Sequence, residues 1–366
     1  MTNGIKQIST GKKILFSCLP LLFLLVFLEI TIRFAYFQSE SPDVLGVITA
    51  YRYLQRAAVK KMAEVKVRRL NLPAELVKSV NLEVHRALYS PQGQELLEEF
   101  RKIYEEHFHI LVQETRQIQS KLVVLYVPTG NFLDEMDIVD ANRVFYTDLC
   151  SKYGIDLIDM TQTIAHYPPD VVTLLPEDGH LSRFGCHLVA AEIAARLANY
   201  FEYRGATHWA ARPPLLGDHR PGMRALRSSY PSMPYQVVTN RQGLRMMHEV
   251  TFPKNRQRIL MLGDSVTFGS FLNNQDTYPE FLNRLFPDKE FINAGVEGYT
   301  ITDEVALFRD RAKYVEPDIT VLQVLDNDIY GLFYFYLNIF NREGKTYEAS
   351  ELEKRFLRPW MKEGSK

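Results

Sequence analysis

The sequence predicts an α/β domain built on a parallel sheet, preceded by one N-terminal membrane helix. Three observations carry this. The short, continuous apolar run Lys121-Leu-Val-Val-Leu-Tyr-Val-Pro128 fits a strand buried on both faces, and Asp318-Ile-Thr-Val-Leu-Gln-Val-Leu325 is a second strong strand signal. Segments with helical spacing alternate with them, the pattern of a parallel sheet with crossover helices. Ile14 to Leu28 (ILFSCLPLLFLLVFL) is fifteen residues without a charge.

Composition sets the outer bounds. The chain has 366 residues, 46% hydrophobic and 24% charged, which excludes a disordered chain, a collagen-like fibre and a multi-span transporter. Forty-three basic residues against 44 acidic ones leave no bulk positive field, so nucleic acid is not an expected partner. Three cysteines exclude a disulfide-dense scaffold.

In chain order, the apolar run extends through Ile32 to nineteen residues. At about 1.5 Å per residue that reaches roughly 28 Å, close to the ~30 Å hydrocarbon core. Lys6, Lys12 and Lys13 precede it, which places the N-terminus in the cytoplasm and the rest outside. Glu29 snorkels to the outer interface with Arg33. A cleaved signal peptide is the rival, but EITIRFAYF after Leu28 lacks the small residues of a cleavage site. Cys18 falls in the span, while Cys150 and Cys186 either pair in an oxidising compartment or remain structural thiols.

Residues 51–119 are mostly helical in pattern, most clearly Gln92 to Gln119, with Leu96, Leu97, Phe100, Ile103 and Tyr104 at helical spacing. Strands are expected at 121–128 and, more weakly, at 154–159, with an alanine-rich helix over 185–201. Residues 204–257, rich in Pro, Gly and Arg, read as a long connection with one hairpin at most. Strands resume at 258–262, 291–293 and 318–325, separated by helices near 277–286 and 302–314.

Four segments hold the residue types that chemistry needs. Leu262-Gly-Asp-Ser-Val-Thr-Phe-Gly269 places Ser265 at the carboxyl end of a buried strand, where open α/β sheets keep their sites and where helix N–H groups face an oxyanion. Asn293-Ala-Gly-Val-Glu-Gly-Tyr299 offers two glycines for close backbone approach. Asp326-Asn327-Asp328 ends the third strand and offers an amide. Pro176-Glu-Asp-Gly-His-Leu-Ser-Arg-Phe-Gly185 places an acid two or three residues before His180, just ahead of a helix. Such an acid orients an imidazole as a general base. Each segment alone also reads as an ordinary turn or cap.

Together, LGDSVTFG, NAGVEGY, LDND and EDGHLSRFG resemble the blocks of the SGNH, or GDSL-type, hydrolase superfamily, over about 90–200 and 236–335. The LEITIRF end of the anchor resembles membrane-anchored bacterial members. The resemblance implies a three-layer α/β/α, flavodoxin-like domain and serine-dependent acyl-ester chemistry. Ser265 becomes the nucleophile, His180 the base and Asp178 its orienting acid, with Glu177 as the alternative acid. The Ser265 N–H, the Gly298 N–H and the Asn327 side chain become oxyanion donors. No metal or cofactor is required. The expected substrate is an acylated small molecule or an O-acetylated extracytoplasmic glycan. The alternatives are acetyl transfer to an exopolysaccharide, as in alginate-type machinery, and a non-catalytic tethered partner or glycan-binding module. The family's Gly-x-Asn-Asp has Leu325 in place of its glycine.

The order of the blocks departs from the family, because His180 precedes Ser265 by 85 residues. The chain therefore reads as a cytoplasmic stretch 1–13, an anchor 14–36, a histidine-bearing half 37–203, a linker and lead-in 204–257, and a serine-bearing half 258–366. VVTNRQGLR (237–245) resembles the usual lead-in to the serine block. Circular permutation and truncated tandem copies both give this order, as do halves exchanged between the chains of a swapped homodimer.

Overall fold

The computed structural model describes residues 88–332, apart from 92, 131–134, 202–204, 206–208, 210 and 229–232. The expected anchor at 14–36 and residues 333–366 lie outside the described residues. Among the described residues no helix is long and apolar enough to cross a membrane.

A five-stranded parallel sheet forms the centre. Its strands are β1 (Lys121–Tyr126), β2 (Asp156–Asp159), β7 (Gln257–Leu262), β8 (Lys289–Asn293) and β9 (Ile319–Val324), in the spatial order β2-β1-β9-β7-β8. Two antiparallel pairs stand apart: β3 (Thr173–Leu174) with β4 (Asp178–Leu181), and β5 (Arg224–Arg227) with β6 (Tyr235–Val238). The expected strands all appear, within one or two residues at most ends.

Side-chain alternation along the strands creates two cores. Leu122, Val124 and Tyr126 of β1 face one side, with Leu260, Leu262, Ile292, Leu322 and Val324. This side is covered by helices α1 (Gln94–Gln117), α2 (Met136–Tyr153) and α8 (Ile301–Asp310). Val123, Leu125 and Val127 face the other side, beneath α5 (Arg183–Leu197) and α7 (Tyr278–Leu285). Three layers result, because strands buried on both faces need helices on both. Cys150 belongs to the first core and Cys186 to the second, so the sheet separates them. Both are free thiols, and burial pushes each up to about 12.

The join between the two halves of the chain lies at the middle of the sheet. β1 and β9 pair in parallel from Lys121↔Ile319 to Tyr126↔Val324. The Lys121 and Val127 N–H groups extend the ladder to the Asp318 and Val324 carbonyls, both at 2.9 Å. Ser120 and Thr320 share a buried hydroxyl hydrogen bond of 2.8 Å below it.

The 204–257 segment packs against the second half. Trp209 lies 4.7 Å from the Tyr314 ring, and Leu215 and Leu216 are buried. A division of the chain that respects this packing falls near Gly205. Residues 40–205 and 206–366, produced separately, each leave a central strand edge unpaired. Each is expected to be insoluble or inactive alone, and the two together to recover ester turnover in a refolding and assay experiment. Turnover by 206–366 alone contradicts any role for His180.

Candidate active site

The loops after β7, β8 and β9 emerge at one end of the sheet, since Met261 pairs with Asn293 and Leu262 with Leu322. The chain runs from β7 out to β8 and then crosses to β9 on the other side of β7. Such a reversal of strand order marks the carboxyl ends of the strands as the usual location of ligand sites in open α/β sheets.

Ser265 opens a one-turn helix, α6 (Ser265–Phe268), directly after β7. Asp264 caps it, its carboxylate accepting from the Val266 N–H at 2.9 Å. Gly263 has φ 152°, and a Cβ there would meet Thr267 Oγ1 at 2.3 Å and Gln323 Oε1 at 2.6 Å. The turn therefore requires glycine. Beyond Gly269, buried Arg245 donates to the carbonyls of Phe268, of Gly269 at 2.8 Å and of Leu272 at 2.5 Å. Its guanidinium stacks 4.0 Å from the Phe268 ring. Burial lowers the Arg245 pKa to about 10, against which the charge of Glu297 acts.

His180 lies just ahead of the Ser182-capped helix α5, as the sequence suggests, but on the short strand β4 rather than in a loop. Its Nε2 lies 2.8 Å from Ser265 Oγ, and its Nδ1 hydrogen-bonds Asp178 Oδ1. The same Asp178 oxygen accepts the His180 backbone N–H at 2.9 Å, which fixes both residues of the strand relative to each other. Asp178 and His180 share one face of β4 because they are two residues apart. Glu177 precedes the strand and is exposed, and the side-chain hydrogen bonds of His180 go to Asp178 and Ser265 instead. Phe271 meets the imidazole edge-on at 5.4 Å.

Burial disfavours the His180 imidazolium. The Asp178 hydrogen bond and the charges of Asp178, Asp264 and Glu297 outweigh burial and raise its pKa above that of an ordinary histidine. Burial raises the Asp264 carboxyl, opposed by the Val266 N–H and by His180. With Nδ1–H donated to Asp178, Nε2 is left to accept the Ser265 hydroxyl proton. A weaker alternative acceptor, Asp264 Oδ2, lies 3.2 Å from Ser265 Oγ.

The expected oxyanion donors fall in two groups. Gly298 has φ 73° at the third position of the Val296–Tyr299 turn, closed by the Tyr299 N–H to Val296 carbonyl bond of 3.2 Å. That makes it a type II turn, which favours glycine there. Among the described residues the Gly298 N–H donates no hydrogen bond, and the Asn327 side chain forms none. The Ser265 N–H instead faces the Asp264 carboxylate.

Asn327 is half-buried between two buried aspartates that anchor its loop. Asp328 accepts the Leu325 N–H at 3.2 Å. Asp326 accepts the Tyr126 hydroxyl, the Thr129 N–H at 3.2 Å and the Asn142 amide at 3.4 Å, all from the first half of the chain. Burial pushes the Asp326 carboxyl up to about 6.

A single chain thus brings together Ser265, His180 and Asp178 and leaves Glu177 apart. Phe271 and Glu297 lie near His180, and Arg245 holds the loop after α6. Arg245 and Glu297 fall in the segments 237–245 and 293–299, whose sequence assigns neither of them a role. No family model matches the chain, and no curated protein matches it. Among solved structures it is similar to the O-acetyltransferase domain of AlgJ from Pseudomonas putida. The two share 12% identity over 74% of this chain and 94% of that one, with a TM-score of 0.40.

Proposed function

We propose that this chain is a serine-dependent acyl-ester enzyme with Ser265 as nucleophile, His180 as general base and Asp178 as the acid that orients it. The observation that carries the proposal is the hydrogen-bonded series Asp178–His180–Ser265 at the carboxyl end of a parallel sheet. Ser265 Oγ attacks an ester carbonyl as its proton passes to His180 Nε2. The carbonyl oxygen becomes an oxyanion, to which we assign as donors the Gly298 N–H and the Asn327 amide, from the loops after β8 and β9. His180 then returns the proton to the leaving alkoxide, and an acyl-Ser265 ester remains. Water or a hydroxyl acceptor enters with His180 again as base, and Ser265 is regenerated.

With residues 14–36 as an anchor, this chemistry faces an extracytoplasmic substrate, and an O-acetylated glycan is the class we assign. The chain order is accounted for as a circular permutation. The parallel pairing of β1 with β9, which sets the two halves side by side in one sheet, supports that account.

Loss of the nucleophile leaves only binding and oxyanion stabilisation. Ser265→Ala is therefore expected to turn over a small acetyl ester about 10³–10⁶-fold more slowly, with the fold unchanged by circular dichroism. Retention of more than about a tenth of the activity contradicts the assignment. Running the assay with and without a sugar acceptor separates release to water from transfer.

Asp178→Asn is expected to cost on the order of 10⁴ in kcat, by analogy with a well-studied triad, while Glu177→Gln behaves as a surface change. The active base is neutral His180, so kcat/KM rises with pH through the raised His180 pKa. Removing the Asp178 charge removes the largest influence raising that pKa, so the acid limb of the profile moves to lower pH. Equal, mild effects from both substitutions contradict the role of Asp178.

A further inference from the structure

We propose that Arg227 and Glu297 form a clamp that positions the Gly298 turn beside the serine, making both of them positioning residues for acyl transfer. The inference rests on the reading of the site given above. Glu297 is the second residue of the Val296–Tyr299 turn, so its Cα flanks the peptide that carries the Gly298 N–H. In a turn with glycine at the third position, types I and II differ by a flip of that central peptide. The flip exchanges the sides of the turn to which the Gly298 N–H and the Glu297 carbonyl point. Gly298 itself offers little resistance to the flip, because glycine tolerates both conformations.

The Glu297 side chain supplies that resistance. Oε1 accepts the Ser270 hydroxyl at 2.7 Å, and Oε2 accepts an N–H of Arg227. Ser270 follows α6, and its N–H donates to the Ser265 carbonyl at 3.0 Å. Arg227 comes from β5, is also hydrogen-bonded to Tyr235 of β6, and lies 5.4 Å from the Phe268 ring. The β5–β6 hairpin is in turn fastened to the loop after α6. The Gln236 and Val238 N–H groups donate to Asn273 and Asn274 Oδ1, both at 2.9 Å. The preceding residue of the turn is tied as well, by the Val296 N–H to Gly263 carbonyl bond of 3.0 Å. A segment that reads in the sequence as a connection therefore fixes the orientation of one peptide in the site.

Glu297 also faces His180, together with Asp178 from β4 and Asp264 from the serine loop. The two members of the clamp thus differ in what their loss does to the imidazole. Neutralising Glu297 removes a charge that favours the imidazolium, whereas truncating Arg227 leaves that charge in place.

The test uses the full chain with p-nitrophenyl acetate, and backbone hydrogen exchange across 294–299. Arg227→Ala is expected to lower kcat about tenfold to hundredfold, the scale set by misplacing or losing one oxyanion donor. KM should change by about twofold or less, since the donor acts in the transition state. Exchange across 294–299 should quicken without a global change. Arg227→Lys, which retains a donor, should recover most of the loss. Glu297→Gln should lower kcat similarly and, unlike Arg227→Ala, move the acid limb of the pH profile to lower pH. Arg224→Ala, exposed on the opposite face of β5, is the unchanged control. Wild-type kcat and wild-type exchange in both Arg227→Ala and Glu297→Gln overturn the proposal, as does a loss confined to KM. If the wild type shows no Ser265-dependent turnover, the reading of the function fails. Exchange across 294–299 then still decides the clamp: quicker exchange in Arg227→Ala supports it and unchanged exchange overturns it.

Discussion

The pairing of β1 with β9 is the interaction on which the rest depends. It joins two stretches of chain that lie far apart in sequence into one sheet, through a ladder from Lys121↔Ile319 to Tyr126↔Val324. Parallel pairing needs a long crossover, so local turn chemistry does not set its register. The register is set by alternation: every residue of β9 is buried, and a slip of one place would send Leu322 and Val324 to the wrong core. With that register in place, the β4 hairpin beside α5 brings His180 to the end of β7, where Ser265 waits.

The site is then held by polar contacts that cross between parts of the chain. The loop carrying Asn327 is anchored through Asp326 by Tyr126, Thr129 and Asn142 of the first half. The carbonyls that follow α6 are gathered by Arg245, and the Gly298 turn is held through Glu297. Buried charges such as Asp326 and Arg245 add little net stability, because desolvation offsets their attraction, and a partly exposed pair such as Arg227–Glu297 adds little because water screens it. Their effect is geometric. Each closes off alternative loop conformations near the serine, where small displacements weigh heavily on rate.

Much of this was legible in the sequence, for identifiable reasons. Strands buried on both faces are rich in apolar residues along their length, as in the Leu122–Tyr126 run of β1, the Ile259–Leu262 run of β7 and most of β9. Helix α2 left no clear pattern because Asn142 occupies the middle of its buried face. The β3–β4 pair, of two and four residues, is too short for periodicity to reveal. That is why His180 read as part of a loop, and why spacing left Asp178 and Glu177 unresolved. Once β4 is a strand, the choice follows, since only the residue two places from His180 shares its face. Arg227, Arg245 and Glu297 act on residues more than twenty places away in the chain, and no periodicity marks such contacts.

The central claim is that Asp178 and His180 activate Ser265 within one folded chain. The most direct measurement is labelling by a fluorophosphonate, which reacts with an activated serine, followed by mass mapping of the adduct. The account predicts one adduct on Ser265 in the wild type, and labelling slowed by orders of magnitude in a folded His180→Ala variant. No adduct on the folded wild type, or equal labelling of the two proteins, would contradict it.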